Sequence, residues 1–192
     1  MIKLFLLAFL SSSSLNIFAF SKQEINQYEI EKAIDKISYS ETNKLGEAKF
    51  DAIGNPGLLT ISGEKGDITG KYQKTGSKVS GSFDIILNSF MTGMDLRDKH
   101  MREKYLETGK YPKATLTIEG VELPKQGDFK FGGKLALHGK TNQVNGDCTL
   151  SDTTKLECKF KILLSDYAIA IPEWKGVTIA KDVSIFVSIN LK

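Results

Sequence analysis

Few residues in this chain could do chemistry. Two histidines occur in 192 residues, His100 and His138. Imidazole is the side chain whose ordinary pKa suits proton transfer near neutral pH. A histidine-based triad would also need a nucleophile and a carboxylate close by in space. Neither histidine stands in a nucleophile-elbow context: His100 lies in a charged run and His138 precedes Gly139. There is no His-x-x-x-His pair and no Asp-rich calcium loop to ligate a metal. A phosphate loop and a Gly-rich dinucleotide fingerprint are also missing. The expectation is a chain with no catalytic set, no cofactor and no metal site, in which both histidines are solvated or locally hydrogen-bonded.

Cys148 and Cys158 are the only cysteines, and they flank the polar turn Asp152-Thr153-Thr154. With that turn as the loop, Ser151 faces Lys155, Leu150 faces Leu156 and Cys148 faces Cys158. Directly opposed positions on adjacent strands meet the distance a disulfide needs. The spacing therefore predicts a cross-strand bridge. The alternatives are two buried thiols, or a redox or metal pair, and the last lacks a Cys-x-x-Cys spacing. Arg97, Lys99, Arg102 and Lys104 form a basic run that could meet an anionic headgroup at a helix start. Asp95 and Asp98 share that first turn, so a solvated mixed-charge face fits as well. Trp174, after Pro172, reads as a packing anchor or a ligand contact.

The elements that must position these residues are mostly strands. Apolar residues alternate with polar ones in several segments: Phe83, Ile85 and Leu87; Leu116 and Ile118; Phe129, Phe131, Leu135 and Leu137; Leu156, Cys158, Phe160, Ile162 and Leu164; and Val183, Ile185, Val187, Ile189 and Leu191. A period of two puts each set on one side of a sheet, and one dry face marks antiparallel sheets. Less regular candidates are 36–41, 47–52, 58–63, 67–73 and 77–82. Polar, mostly Gly-containing turns separate them at 54–57, 64–67, 75–77, 125–128, 139–142 and 152–154. One segment, Asp95 to Thr108, has helical spacing, with Asp95 as N-cap, Gly109 as C′ and Met94, Met101 and Tyr105 on a single stripe. Asp95 with Lys99 and Asp98 with Arg102 form i,i+4 pairs on its polar side.

Composition sets the class. Hydrophobic residues make up 41% and charged ones 26% of the chain, which is globular rather than disordered usage. The formal net charge of +3 is spread along the chain and gives no pull toward nucleic acid. Met1-Ile2-Lys3, the apolar run Leu4 to Leu10, Ser11 to Ser14 and Ile17-Phe18-Ala19 follow the tripartite pattern of a cleaved secretory signal. The apolar run is shorter than the roughly 20 residues of a membrane span. The expected organisation is a signal peptide at 1–19, a flexible segment at 20–27 and one β domain at 28–192. The expected location is the periplasm, or the medium if the protein is secreted.

The stretch Met94-Asp95-Leu96-Arg97-Asp98-Lys99-His100-Met101-Arg102-Glu103-Lys104-Tyr105-Leu106, followed by Lys110-Tyr111-Pro112-Lys113-Ala114, resembles the hallmark of the YceI-like family. Leu137-His138-Gly139-Lys140-Thr141, Ser165-Asp166-Tyr167 and the closing run Val183 to Leu191 also match it. The resemblance covers about Tyr28 to Leu191 and is poorest over Ala33 to Thr75. Leu116 stands where members often carry an aromatic, and the cysteine pair is not a family hallmark. The resemblance implies an extended, lipocalin-like antiparallel barrel of about eight strands with one short helix at 95–108. It also implies an elongated apolar pore holding an isoprenoid chain, as in a polyprenyl phosphate or a quinone.

Alternation alone leaves open whether the inward side chains line a cavity or fill the interior. The resemblance favours a cavity lined by Phe83, Ile85, Leu87, Met94, Met101, Tyr105, Leu116, Ile118, Phe131, Leu135, Phe160, Ile162, Val187 and Ile189. Two other functions remain as alternatives: an enzyme acting on a lipid-like substrate, or an interaction module that uses the barrel exterior. Ile86, Phe90, Leu163 and Phe186 fall opposite the main apolar faces. They fit a partner contact, a second small core under the helix, or a homodimer contact.

Overall fold

The computed structural model describes residues 36–191, apart from 56, 58, 153, 175 and 176, with backbone only at 36–43, 174 and 177. The expected signal peptide, the segment 20–27 and the side chain of Trp174 lie outside the described residues. Among the described residues, nine strands run as β1 (Lys36–Asn55), β2 (Leu59–Thr75), β3 (Lys78–Ile86), β4 (Lys113–Glu122), β5 (Gly127–Leu137), β6 (Lys140–Leu150), β7 (Lys155–Leu163), β8 (Glu173–Trp174) and β9 (Val177–Asn190). All pairings are antiparallel. Each of β1 to β6 pairs with the next, β9 pairs with β7, and β9 also pairs with β1. That last pairing closes an eight-stranded barrel, with the two-residue β8 attached to the edge of β9. Closure removes the exposed edges an open sheet would leave.

Period-two patterning produces this wall. In β7 the burial alternates so that Phe160 and Ile162 are buried while Lys159, Lys161 and Leu163 face out. In β3 the buried positions are Val79, Phe83 and Ile85. Across β3 and β4, Asp84 accepts hydrogen bonds from Lys113 Nζ and Thr115 Oγ1, both at 2.7 Å. Partial burial alone would raise its pKa, but these two donors outweigh burial and hold it below the usual carboxylate range.

The first third differs from the sequence expectation. Segments 36–41 and 47–52 are one strand, interrupted by a register shift between Glu41 and Gly46. The described part of segment 58–63, from Leu59, and segment 67–73 are likewise one strand. The residues read as a turn at 64–67 form a β-bulge in it, where Ala48 pairs with Gly66 and Phe50 with Gly63. Lys65 takes the left-handed conformation there, at φ 64°. A bulge and a turn share the same residue types, and only the pairing partner distinguishes them.

The helical segment also departs from expectation. Helix α1 (Asp95–His100) is followed by a π-helical turn, Met101–Tyr105. Met94, not Asp95, is the N-cap, and no side chain caps it. The left-handed residue that turns the chain onward is Glu107, at φ 45°, rather than Gly109. Its carbonyl then accepts from the amides of Lys110 and Tyr111.

Candidate functional site

The barrel interior divides into two zones. At the end where β3 leaves and β4 begins, Leu87, Ala114, Leu137, Leu164, Tyr167 and Ile169 are all buried. Met101, Tyr105 and Leu106 pack against this core from the helical segment. Together these side chains form a packed plug at this end. Toward the opposite end lies a cavity of about 60 Å³ lined entirely by apolar side chains. Among the residues expected from the resemblance, Phe83, Ile85, Leu116, Ile118, Phe131, Phe160, Val187 and Ile189 line it. Leu87, Leu135 and Ile162 are buried in the core but do not line the cavity. Met101 and Tyr105 belong to the packing around the plug. Met94 is 56% exposed and stands outside the interior, because it is the extended residue that precedes α1.

Sequence reasoning left out several lining residues: Ile68, Val79, Val121, Leu123, Phe129 and Leu156, together with Leu191 and the two cysteines. Phe129, Leu156 and Leu191 were visible as members of inward faces. Ile68 and Val79 sit on strands broken by bulges and glycines, where a two-residue period is hard to read. Two aromatic rings shape the wall: Phe131 and Phe160 meet edge to face with centroids 5.8 Å apart. Gly146 makes room for them. A Cβ there would come within 2.6 Å of the Phe131 ring and 2.5 Å of the Lys159 carbonyl oxygen.

Cys148 and Cys158 are opposed in register and bonded to each other, with Cα atoms 4.1 Å apart. The local sequence sets this register. Asp152 Oδ1 accepts from the amides of Lys155 and Thr154 and from the Thr154 hydroxyl, each at 2.8 Å. The two backbone donors, then the hydroxyl, hold the Asp152 carboxyl below its ordinary range. The loop thus closes as an Asx-type turn, Ser151 donates to the Lys155 carbonyl, and the cysteines fall opposite each other. Replacing both cysteines with alanine is expected to lower stability by about 2–3 kcal/mol, the loop-closure entropy of a short crosslink. Urea unfolding of the variant and of the reduced parent measures this; unchanged midpoints would show that the bridge contributes nothing.

The charged helix is a clasp. Asp98 is only 5% exposed and accepts from the Thr92 amide at 2.8 Å and from the Thr92 hydroxyl. Arg97 Nε donates to Thr92 Oγ1 at 2.8 Å, and its Nη2 donates to the Thr92 carbonyl. Arg102 Nη2 donates to the Phe90 carbonyl at 2.7 Å. The Asp98–Arg102 pair expected on the surface is therefore replaced by two separate bonds to the preceding segment. Arg97 and Arg102 are committed to these contacts, while Lys99 is exposed and the exposed Lys104 places its Nζ 5.2 Å from the Tyr105 ring centroid. The four basic residues do not converge on one anion site.

Phe90, assigned from its parity to the exterior, is buried against Phe50 at 5.3 Å. The 3-10 turn Leu87–Ser89 resets the alternation just before it. Leu163 is exposed, and Phe186 lies under Lys159 Nζ at 5.0 Å. A broad concavity of about 1160 Å³ crosses the outer face here. Its rim carries Lys44, Lys49, Lys130 and Lys159 against Glu47, Asp128, Asp147 and Glu157, so opposite charges balance across it.

His138 is held rather than poised. Its Nδ1 lies 3.0 Å from the Tyr167 carbonyl, its Nε2 is 3.7 Å from Glu107, and the Tyr111 ring is 4.7 Å away. His100 is exposed at the end of α1. Neither lines the cavity.

The model of the YceI-like domain matches residues 28–191. The chain belongs to the YceI-like family. UPF0312 proteins of Shewanella are relatives: those of strain W3-18-1 and of S. putrefaciens are each 30% identical over 96 residues. That match is 48% of this chain and 50% of each relative, so the chain spans about half the length of the curated relatives it matches. Two solved structures share the fold at 19% identity. A polyisoprenoid binding domain from Saccharophagus degradans, implicated in plant cell wall breakdown, superposes with a TM-score of 0.58 over 76% of this chain and 93% of its own. BcnA of Burkholderia cenocepacia gives 0.61 over 76% and 96%. The family and these neighbours agree with the lipocalin-like barrel that the central motif implies. The motif's conspicuous charges serve that fold by tying α1 to the segment before it.

Proposed function

We propose that this protein binds the apolar chain of an isoprenoid-type lipid, a polyprenyl phosphate or a quinone, inside the barrel, for transport, storage or sequestration, without transforming it. The observation that carries this reading is a cavity in a closed barrel with no polar side chain in its wall. The Saccharophagus domain of the same fold, described as polyisoprenoid-binding, supports it. An alkyl chain gains roughly 0.8 kcal/mol per buried CH₂, so a long isoprenoid needs few polar contacts. Neither histidine faces the cavity, which favours binding over catalysis.

The cavity of about 60 Å³ is well below the roughly 300–1,000 Å³ of an ordinary ligand site. Binding on this reading is an expansion, in which Phe129, Phe131 and Phe160 change rotamer to admit the chain. The tripartite pattern of residues 1–19 and the disulfide both support action in the periplasm. The test is lipid mass spectrometry on organic extracts of the protein purified without detergent. An isoprenoid recovered in near-stoichiometric amount is the expected result. Extracts free of lipid, from a protein that also fails to bind added retinol, would overturn the reading.

A further inference from the structure

We infer that the lipid chain enters and leaves the cavity sideways, through a seam between β4 and β5, rather than along the barrel axis past the helical plug. This inference rests on the proposed lipid binding and adds its route. The β4–β5 ladder is the shortest in the closed wall: only Thr115 to Ile118 pair, with Ala136 to Gly133. On the other sides of the same two strands, β3–β4 pairs from Lys78 to Ile86 and β5–β6 along the whole of both strands. Beyond Ile118 the two strands part. The cause is visible in β4. Gly120, at φ 61°, forms a bulge and donates its amide to Ser80 Oγ at 2.8 Å, which keeps β4 on β3 as it leaves β5. Leu123 continues this, its amide donating to the Ser77 carbonyl, while Gln126 Nε2 reaches across to the Ser151 carbonyl on the far side. An unpaired stretch of wall is costly in a β-barrel unless something else uses it.

A second short ladder shows what a closed seam looks like. β6 and β7 pair only from Gly146 to Leu150, and their other halves also diverge. There the 3-10 turn Leu164–Tyr167 fills the space, latched by Asn142 Nδ2 donating to the Asp166 carbonyl at 2.7 Å and by His138 bonded to the Tyr167 carbonyl. The β4–β5 seam has no such latch among the described residues. Its lips are Ile118, Val121, Leu123 and Phe129, which are partly exposed and at the same time line the cavity. Apolar side chains that reach both solvent and the interior, at the place where the wall lacks its hydrogen bonds, are what a greasy chain needs to pass.

The test is to lock the seam after folding. Glu119→Cys with Lys130→Cys places thiols on exposed positions of the two lips, and bis(maleimido)ethane joins them. Cys148 and Cys158 are bonded to each other and do not compete for the reagent. Lys134→Cys with Gln143→Cys, opposed across the fully paired β5–β6 ladder, is the control crosslink. Stopped-flow fluorescence follows the uptake and release of retinol. Locking the seam is expected to slow both rates about tenfold or more, as when binding waits on a conformational opening. The equilibrium constant should stay within about twofold, and the control crosslink should leave the rates unchanged. Unchanged rates in the seam-locked protein, with retinol still bound, would overturn the route and leave lipid binding intact. Failure of the uncrosslinked parent to bind retinol at all would overturn lipid binding, and the route with it.

Discussion

Phe160→Ala is expected to cost the lipid-free protein about 3–5 kcal/mol, the usual loss for deleting a buried phenyl ring. Phe160 is 3% exposed and contacts Phe131 edge to face. Its ring is the largest group on β7 facing the cavity, so truncation both removes packing and enlarges the cavity. These consequences separate when retinol is added. A ligand that binds only the folded state stabilises it in proportion to the logarithm of its concentration over its Kd. If the interior is a binding site, the enlarged variant should bind retinol more tightly, by about tenfold, which corresponds to about 1.4 kcal/mol. Leu137→Ala, in the plug, should cost about 2–5 kcal/mol with no gain in retinol affinity. Thermal melts of both variants across a retinol series make the comparison. If retinol shifts the melting of neither parent nor variant, the interior is packing and nothing more.

The barrel wall was legible because β5, β7 and β9 carry apolar residues inward at nearly every second position, with Leu163 and Phe186 as the apolar exceptions on the outer face. The disulfide was legible for the same reason: an Asx turn of known length fixes the register of Cys148 and Cys158. Two features were not readable from the residues alone. One is the bulges in β1 and β2, where Glu64, Lys65 and Gly66 have the composition of a turn but continue the strand. The other is the division of inward positions between plug and cavity. Leu135 and Phe131 lie on the same face of β5, four residues apart, yet only Phe131 lines the cavity. Depth along the barrel axis decides this, and depth is set by strand stagger, which alternation does not encode. The polar motif misled in a specific way. Asp98 with Arg102 has the spacing of a surface ion pair, but spacing within a helix cannot reveal that Thr92 and Phe90, upstream of it, fold back to take both partners.

That fold-back carries the second large effect. Asp98→Ala is expected to destabilise the protein by about 3 kcal/mol, since hydrogen bonds to a charged acceptor contribute about 1.5–3 kcal/mol each and two are lost at a buried position. Asp95→Ala, one turn earlier and exposed, should change stability by no more than about 0.5 kcal/mol. Asp98→Asn keeps an oxygen acceptor for Thr92 and should fall between the two. Pairing Asp98→Ala with Thr92→Val in a double-mutant cycle should return a coupling of about 1–3 kcal/mol, because the two side chains share one network. Hydrogen exchange gives the spatial check. Amides of the segment from Leu87 to Leu106 should lose protection, while those of β5 and β6 keep it, as expected when a local unit opens without the barrel. Tolerance of Asp98→Ala within the range of Asp95→Ala would dismiss the clasp. The same variants separate the two readings of the basic run. Were Arg97 and Arg102 a headgroup site, replacing either would weaken lipid binding at unchanged stability. As members of a clasp their loss lowers the melting temperature instead, and well below that temperature retinol affinity stays where it was.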